Sequence, residues 1–513
     1  MSCCSIAPLY RSTEEQPTPI QAVVTGSIPE WLQGRFIRVG PGLFEIDDFT
    51  VNHWFDGFAV LYKFEIKNGK VTFMKKFLQS DAYKKAMVAK KPVYTEFGTK
   101  AYTDTTKSMF SRVISAVIPD LTDNCGVNIF SYKDHVFCGS ESPMLREINP
   151  ENLDTLDKID LTKVGANMMS SHFLQDSHGD LYTIATEIFT SANYSVIKVP
   201  ATDSNTPFKK AQALCSISPY SKGPSTYHSF AATDNYIVLI EQPLTLNMLK
   251  IISFHIKGRS LYDCTEWQPH LLNKFTIIDK RSGKVMPTPY MSTKPFFLCH
   301  QINCYEEDNQ LVVDFIDYDS PALFEQMFLN VVRQDKWNVS GGGCGQRFVL
   351  PIIQPGQKAE EGKNLVTLKT SATAECRQGV IHLTGHQLTT DRGYEQPSIN
   401  RNFHGKKYRY CYASGMIDCS PLRNSIVKVD TDTGAMTLWK DSDTAFPGEP
   451  YFEARPGATE EDDGILLVPV TNTDPGVRDC LVFLDPRTLQ EVGRASVDSH
   501  VPNVMHGIFL PFK

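Results

Sequence analysis

Residues 425–438 read SIVKVDTDTGAMTL: an apolar strand, a polar turn over 430–434, and a second short strand. The same plan recurs at 61–73 (LYKFEIKNGKVTF), 144–156 (MLREINPENLDTL), 275–285 (FTIIDKRSGKV) and 481–492 (LVFLDPRTLQEV). Strand–turn–strand units repeated irregularly along one chain are what the outer hairpins of propeller blades look like. A sandwich or barrel of unrelated hairpins uses the same pieces, but the number of copies favours a propeller. Their uneven spacing leaves the blade count open.

Working outward, 235–240 (NYIVLI), 311–317 (LVVDFID) and 465–470 (ILLVPV) read as buried strands, and long helical periodicity is nearly absent. The chain is all-β. Its 513 residues suffice for three average domains, yet one large propeller absorbs them, and residues 1–513 read as a single domain. Two segments break the β pattern. In 107–119 (KSMFSRVISAVIP), Met109, Phe110, Val113, Ile114, Val117 and Ile118 form one helical stripe. In 244–257 (LTLNMLKIISFHIK), large apolar groups alternate with lysines. Each segment suits either a face packed on the propeller or a basic amphipathic stretch lying in a membrane interface.

The bulk numbers exclude several classes. With 41% hydrophobic and 21% charged residues the chain can bury a substantial core. A net charge of −7 and no basic stripe argue against a general nucleic-acid binder. Thirteen cysteines, with no CxxC pair, suit free thiols in a reducing compartment. The opening MSCCSIAPLY has no secretory pattern, and no uncharged run approaches the length of a membrane span. The expectation is a cytoplasmic protein that associates peripherally with membranes. Cys3 and Cys4 read as exposed thiols rather than acylation sites.

No GxxxxGK loop or GxSxG elbow is present, and GGGCG at 341–345 reads as a flexible loop. Four histidines stand at apolar strand ends: His172 (MMSSHFLQD), His228 (STYHSF), His300 (PFFLCHQIN) and His506 (VPNVMHGIF). A buried imidazole is costly unless it bonds something, and a metal is one solution. Taken singly, each reads more simply as a hydrogen-bonded core or loop histidine. No two lie within a helical turn of each other, so spacing defines no metal site.

Whole motifs go further. GRFIRVGPGLFEI (34–46), HWFDGFAVLY (53–62), LTDNCGVNIF (121–130), EINPENLDTL (147–156), PSTYHSF (224–230), CHQINCYEE (299–307), ATEEDDGILL (458–467) and MHGIF (505–509) run the length of the chain. In kind and order they resemble the carotenoid cleavage oxygenases, the family of β-carotene oxygenases and the vertebrate retinoid isomerohydrolase. The resemblance implies a seven-bladed β-propeller with a cap of loops and short helices over an axial iron. It implies Fe(2+) held by His172, His228, His300 and His506. Glu141, Glu395 and Glu449 then support His228, His300 and His506 in that order, leaving His172 without a carboxylate. Neutral imidazole suits Fe(II), and a carboxylate accepting the second ring N–H fixes the tautomer. Tyr102 and Trp337 fall where family members line the substrate tunnel, and the segments at 107–119 and 244–257 are candidates for its membrane-facing mouth.

The implied activity is oxidative cleavage of a C40 carotenoid by O2 at the central 15,15′ bond, giving retinal-type aldehydes. The alternatives are off-centre cleavage, isomerohydrolysis of all-trans retinyl esters without oxygen, and a non-enzymatic carotenoid-binding scaffold. Three departures from the vertebrate pattern stand out. The histidine–proline–histidine around the first ligand is His172-Phe173-Leu174 here, and glutamate–threonine–asparagine is Glu141-Ser142-Pro143. The stretch at 102–107 (YTDTTK) lacks the cysteine that vertebrate members can acylate. In these respects the chain is more similar to insect members of the family, which couple cleavage to trans-to-cis isomerisation.

Overall fold

The computed structural model describes residues 4–104, 121–188, 192–201, 206–254, 256–338, 342–417 and 421–512. Asn68 and Gly69 show how the repeated hairpin is made. Both lie at positive φ, 51° and 72°, as in the type I′ turn whose twist matches that of its flanking strands. They join Phe58–Lys67 to Lys70–Phe77. The other four hairpins also form: Met144–Ile148 with Thr155–Asp160, Lys274–Asp279 with Lys284–Val285, Ile426–Asp430 with Met436–Trp439, and Asp479–Leu484 with Glu491–Val497.

These hairpins belong to larger sheets, seven of which have four or more strands, antiparallel but for one parallel pairing of Tyr290–Ser292 with Val380–Thr384. Each such sheet packs on the next through a buried apolar seam. Ile37, Val39 and Leu61 meet Ile129 and Val136 at the first seam, and Tyr132 and Leu145 meet Leu181 and Ile197 at the second. The series continues around the chain until Leu467 and Phe483 of the last sheet meet Phe36 and Phe64 of the first. A row of sheets whose last face covers its first is a ring, so the molecule is a β-propeller. Backbone pairing closes it twice. The C-terminal strand His506–Pro511 pairs with Gly34–Leu43, and the N-terminal strand Val23–Gly26 pairs with Glu491–Val497.

Helices are few and short, and among the described residues none is long and apolar enough to cross a membrane. The longest described helix, Asp81–Ala89, is capped by Ser80 Oγ, which accepts the Tyr83 N–H at 3.0 Å. The eleven described cysteines are all unbridged.

The stripe at 107–119 lies outside the described residues. The 244–257 segment folds as a strand, Leu244–Leu246, followed by a six-residue helix, Met248–Ser253. Leu244, Leu246, Ile251 and Phe254 are buried, whereas Leu249, Ile252 and Ile256 are 81%, 72% and 77% exposed. Finally, GGGCG is not simply a loop. Cys344 and Gly345 open the strand Cys344–Pro351, and Gly343 packs so closely that a Cβ there would lie 2.5 Å from the Tyr394 carbonyl oxygen. A stretch chosen for flexibility by composition is held by close backbone approach, which only glycine permits.

Candidate metal centre

Each of the four histidines is placed by a different sheet. His172 sits in the turn between Met168–Met169 and Leu174–Gln175, and its N–H donates to Ser170 Oγ at 3.1 Å. His228 precedes the strand Ala231–Ala232. His300 lies in Phe297–Glu307, where the pairing register slips between Leu298 and Gln301 and again before Asn303. Such a bulge re-aims a side chain out of the regular pleat. His506 opens the last strand. A point reached from four sheets spread around a ring is at its centre.

There the Nε2 atoms meet. His172 to His228 is 2.8 Å, His228 to His300 is 3.0 Å and His300 to His506 is 3.2 Å. All four ligand atoms fall within 4.8 Å of one another. On the far side of three rings, Nδ1–H donates to a carboxylate: His228 to Glu141 at 2.7 Å, His300 to Glu395 at 2.6 Å and His506 to Glu449 at 2.8 Å. Among the described residues no carboxylate bonds the His172 ring. With Nδ1 protonated, each of the three Nε2 atoms carries a lone pair, and all of them point at one spot.

Lone pairs facing each other at these distances repel unless a cation sits between them. Metal–imidazole bonds of about 2.1 Å at right angles put neighbouring nitrogens about 3.0 Å apart, within the observed spread. Glu141 Oε2 and Glu395 Oε1 are buried with no hydrogen-bond partner, which is costly for a carboxylate without a nearby positive charge. The donor set therefore fits a transition-metal ion bound by neutral nitrogen and backed by carboxylates.

The electrostatics agree. Burial, aided by the facing rings, holds His172 and His506 well below the ordinary imidazole range. At His300 burial acts the same way, but the adjoining Glu395 carboxylate outweighs it and raises the ring's pKa. Burial would raise Glu395, yet His300 and the Gln396 amide hold it below the usual carboxylate range. Glu449 is pushed up to about 7 by burial, against which Arg38 acts.

Serines beside the histidines tie neighbouring sheets together. Ser170 Oγ donates to the His228 carbonyl and Ser229 Oγ to the Cys299 carbonyl, each at 2.6 Å. Two of the ligand loops are thus each stapled to the next, a link between motifs that sequence reading did not suggest.

A cavity of about 350 Å³ opens onto His228, His300 and His506. Phe55, Phe97, Phe297, Phe324, Met327 and Trp337 line it, and it runs to Ile251, Phe254 and Leu261 beside the exposed apolar helix. Of the two residues assigned to the tunnel, Trp337 lines this cavity and Tyr102 does not. Tyr102 packs edge-on against Phe49, 5.1 Å between centroids, with Lys91 and Lys100 over its ring. Backbone bonding of Tyr102 N–H to the Pro92 carbonyl holds it there. Sequence reading missed Phe97 and the buried Glu96 beside it, which line the cavity from a cap loop with no periodicity to mark it.

A propeller whose axis carries four convergent histidines, backed by carboxylates and fronted by an apolar cavity, defines a metal-centred β-propeller protein. The model of the RPE65 family, described as retinal pigment epithelial membrane protein, matches residues 10–511, and the chain belongs to that family. It is 36% identical over 517 residues to the β,β-carotene 15,15′-dioxygenase of Mus musculus, covering 98% of this chain and 91% of that one. The protein of the same name from Gallus gallus is 37% identical, with 98% and 97% covered. The mitochondrial carotenoid-cleaving dioxygenase of Mustela putorius furo is 36% identical, with 98% and 96% covered. Among solved structures, cobalt-substituted apocarotenoid oxygenase from Synechocystis superposes with a TM-score of 0.77 at 24% identity, 98% of both chains being covered. That likeness bears on the fold alone.

Proposed function

We propose that this protein is a non-haem iron(II) dioxygenase that cleaves a C40 carotenoid at its central 15,15′ double bond, giving retinal-type aldehydes. The observation that carries this is the convergence of four imidazole Nε2 atoms, with three of the rings lining an apolar cavity. Two of the relatives above, named for 15,15′ cleavage, support the same bond. His172, His228, His300 and His506 would hold the iron, with Glu141, Glu395 and Glu449 orienting the last three. Iron(II), when bound, supplies the activation of O2 beside the scissile double bond. The chain's own groups do the remaining work. Phe297, Phe324 and Trp337 offer flat apolar walls that hold a polyene and exclude water.

A carotenoid is nearly insoluble, so it enters from a bilayer. The exposed Leu249, Ile252 and Ile256, next to the cavity's outer end, are suited to lie among lipid tails of a membrane facing the cytoplasm. The resemblance to insect members, to which the departures at 102–107, 141–143 and 172–174 point, would add coupled trans-to-cis isomerisation of one product half.

Iron-loaded protein incubated under air with β-carotene or zeaxanthin, with chromatography resolving cis from trans retinal, tests the proposal. Retinal-length aldehydes are expected. Intact carotenoid, or retinyl-ester turnover under strict anaerobiosis, would overturn it; longer apocarotenals would move the cleavage off-centre.

A further inference from the structure

Arg38, in the GRFIRVGPG run, is wholly buried within the strand Gly34–Leu43. It stands opposite Gly507, one position from the pairing of Val39 with His506. Its Nη1 donates to the Glu449 carbonyl at 2.9 Å and lies 3.3 Å from Glu449 Oε2. Its Nη2 donates to the Met505 carbonyl at 2.7 Å, with the Val504 carbonyl at 3.4 Å. One guanidinium thus grips the carboxylate behind His506, the backbone of that glutamate and the residue immediately before His506.

Space for it is made by Gly507, whereas Gly448 lies at an ordinary contact distance. A Cβ at Gly507 would fall 2.4 Å from Arg38 Cδ, and one at Gly448 would lie 3.7 Å from Nη2. The ligand His506 is therefore followed by a glycine whose missing side chain leaves room for the arginine. The other two glutamates differ, each keeping a buried oxygen without a hydrogen-bond partner. In an iron(II)-loaded centre three carboxylates would face a divalent ion, and Arg38 supplies the positive charge that makes the buried assembly neutral.

We propose that Arg38 is a positioning residue of the metal centre: by clamping Glu449 and the chain at Met505 it holds His506 in its ligating orientation. This rests on the iron reading above. A lysine would keep the charge but lose the planar fork that reaches several acceptors at once.

The test uses the full chain, purified anaerobically and loaded with ferrous iron, with chelator competition giving iron affinity and the EPR spectrum of the nitric oxide adduct reporting ligand geometry. Arg38→Met is expected to weaken iron binding roughly 10- to 100-fold and to change the adduct spectrum, with Arg38→Lys intermediate. Gly507→Ala, which keeps the guanidinium but takes its space, should resemble Arg38→Met. Arg38→Met combined with Glu449→Gln should lose no more than the worse single variant. Folded Arg38→Met with wild-type affinity and spectrum overturns the proposal, as do fully additive losses in the double variant. Should Arg38→Met fail to fold, wild-type affinity in both Arg38→Lys and Gly507→Ala overturns it equally. Wild-type protein that binds no iron overturns the iron reading itself, and this proposal with it.

Discussion

His300 shows what a single residue contributes. Its strand bulges to aim it, Ser229 holds the carbonyl just before it, and Glu395 holds its Nδ1. No other side chain can take its place at the centre, since the next Nε2 atoms are already committed to the same point. His300→Ala is therefore expected to abolish both iron retention and carotenoid cleavage, read as iron per chain and aldehyde formed. A His300→Ala protein with full iron occupancy would show that this ring is not a ligand. Glu395→Gln keeps the shape and alters only the charge behind His300. It should weaken iron binding roughly 10- to 100-fold without removing it, measured by the same chelator competition.

The short helix Met248–Ser253 shows what an element contributes. Asn247 Oδ1 caps it by accepting the Lys250 N–H at 3.0 Å, and Ile251 anchors its inner side against the buried Leu246 and Phe254. Anchored on one side, it presents Leu249 and Ile252 outward, with Ile256 just beyond its end. Burying a Leu or Ile side chain stabilises by roughly 1.5–3 kcal/mol, so three such residues can anchor an element in lipid. Replacing Leu249, Ile252 and Ile256 together by Ser should lower co-sedimentation with liposomes more than 100-fold while leaving iron per chain unchanged. Unaltered co-sedimentation would mean that other surfaces carry the protein's membrane affinity.

Across the whole molecule the centre acts as a hub. Residues from four sheets converge on it, and the last strand, which closes the ring, begins with His506. An ion bound there adds a link between sheets that otherwise meet through apolar seams and a few side-chain hydrogen bonds. A ligand present at a hundred times its Kd adds about 2.7 kcal/mol to the stability of the folded state. Chelation is expected to lower Tm by a few degrees, and ferrous iron to restore it. Identical melting of stripped and loaded protein would show that no such shared ion joins the sheets.

The sequence by itself determined the hairpins, the all-β class and the motifs that carry the histidines and glutamates, because turn chemistry and strand composition act over a few neighbouring residues. It could not tell a ligand from a core histidine by spacing: His172 and His506 are 334 positions apart in the chain and meet only when the ring closes. Tertiary structure alone decided that Tyr102 packs on Phe49 away from the cavity, that the glycines at 343 and 345 are held tight, and that Ser170, Ser229 and Arg38 brace the centre. Each of these depends on which strands lie side by side across the ring, and contacts between distant segments leave no local period to read.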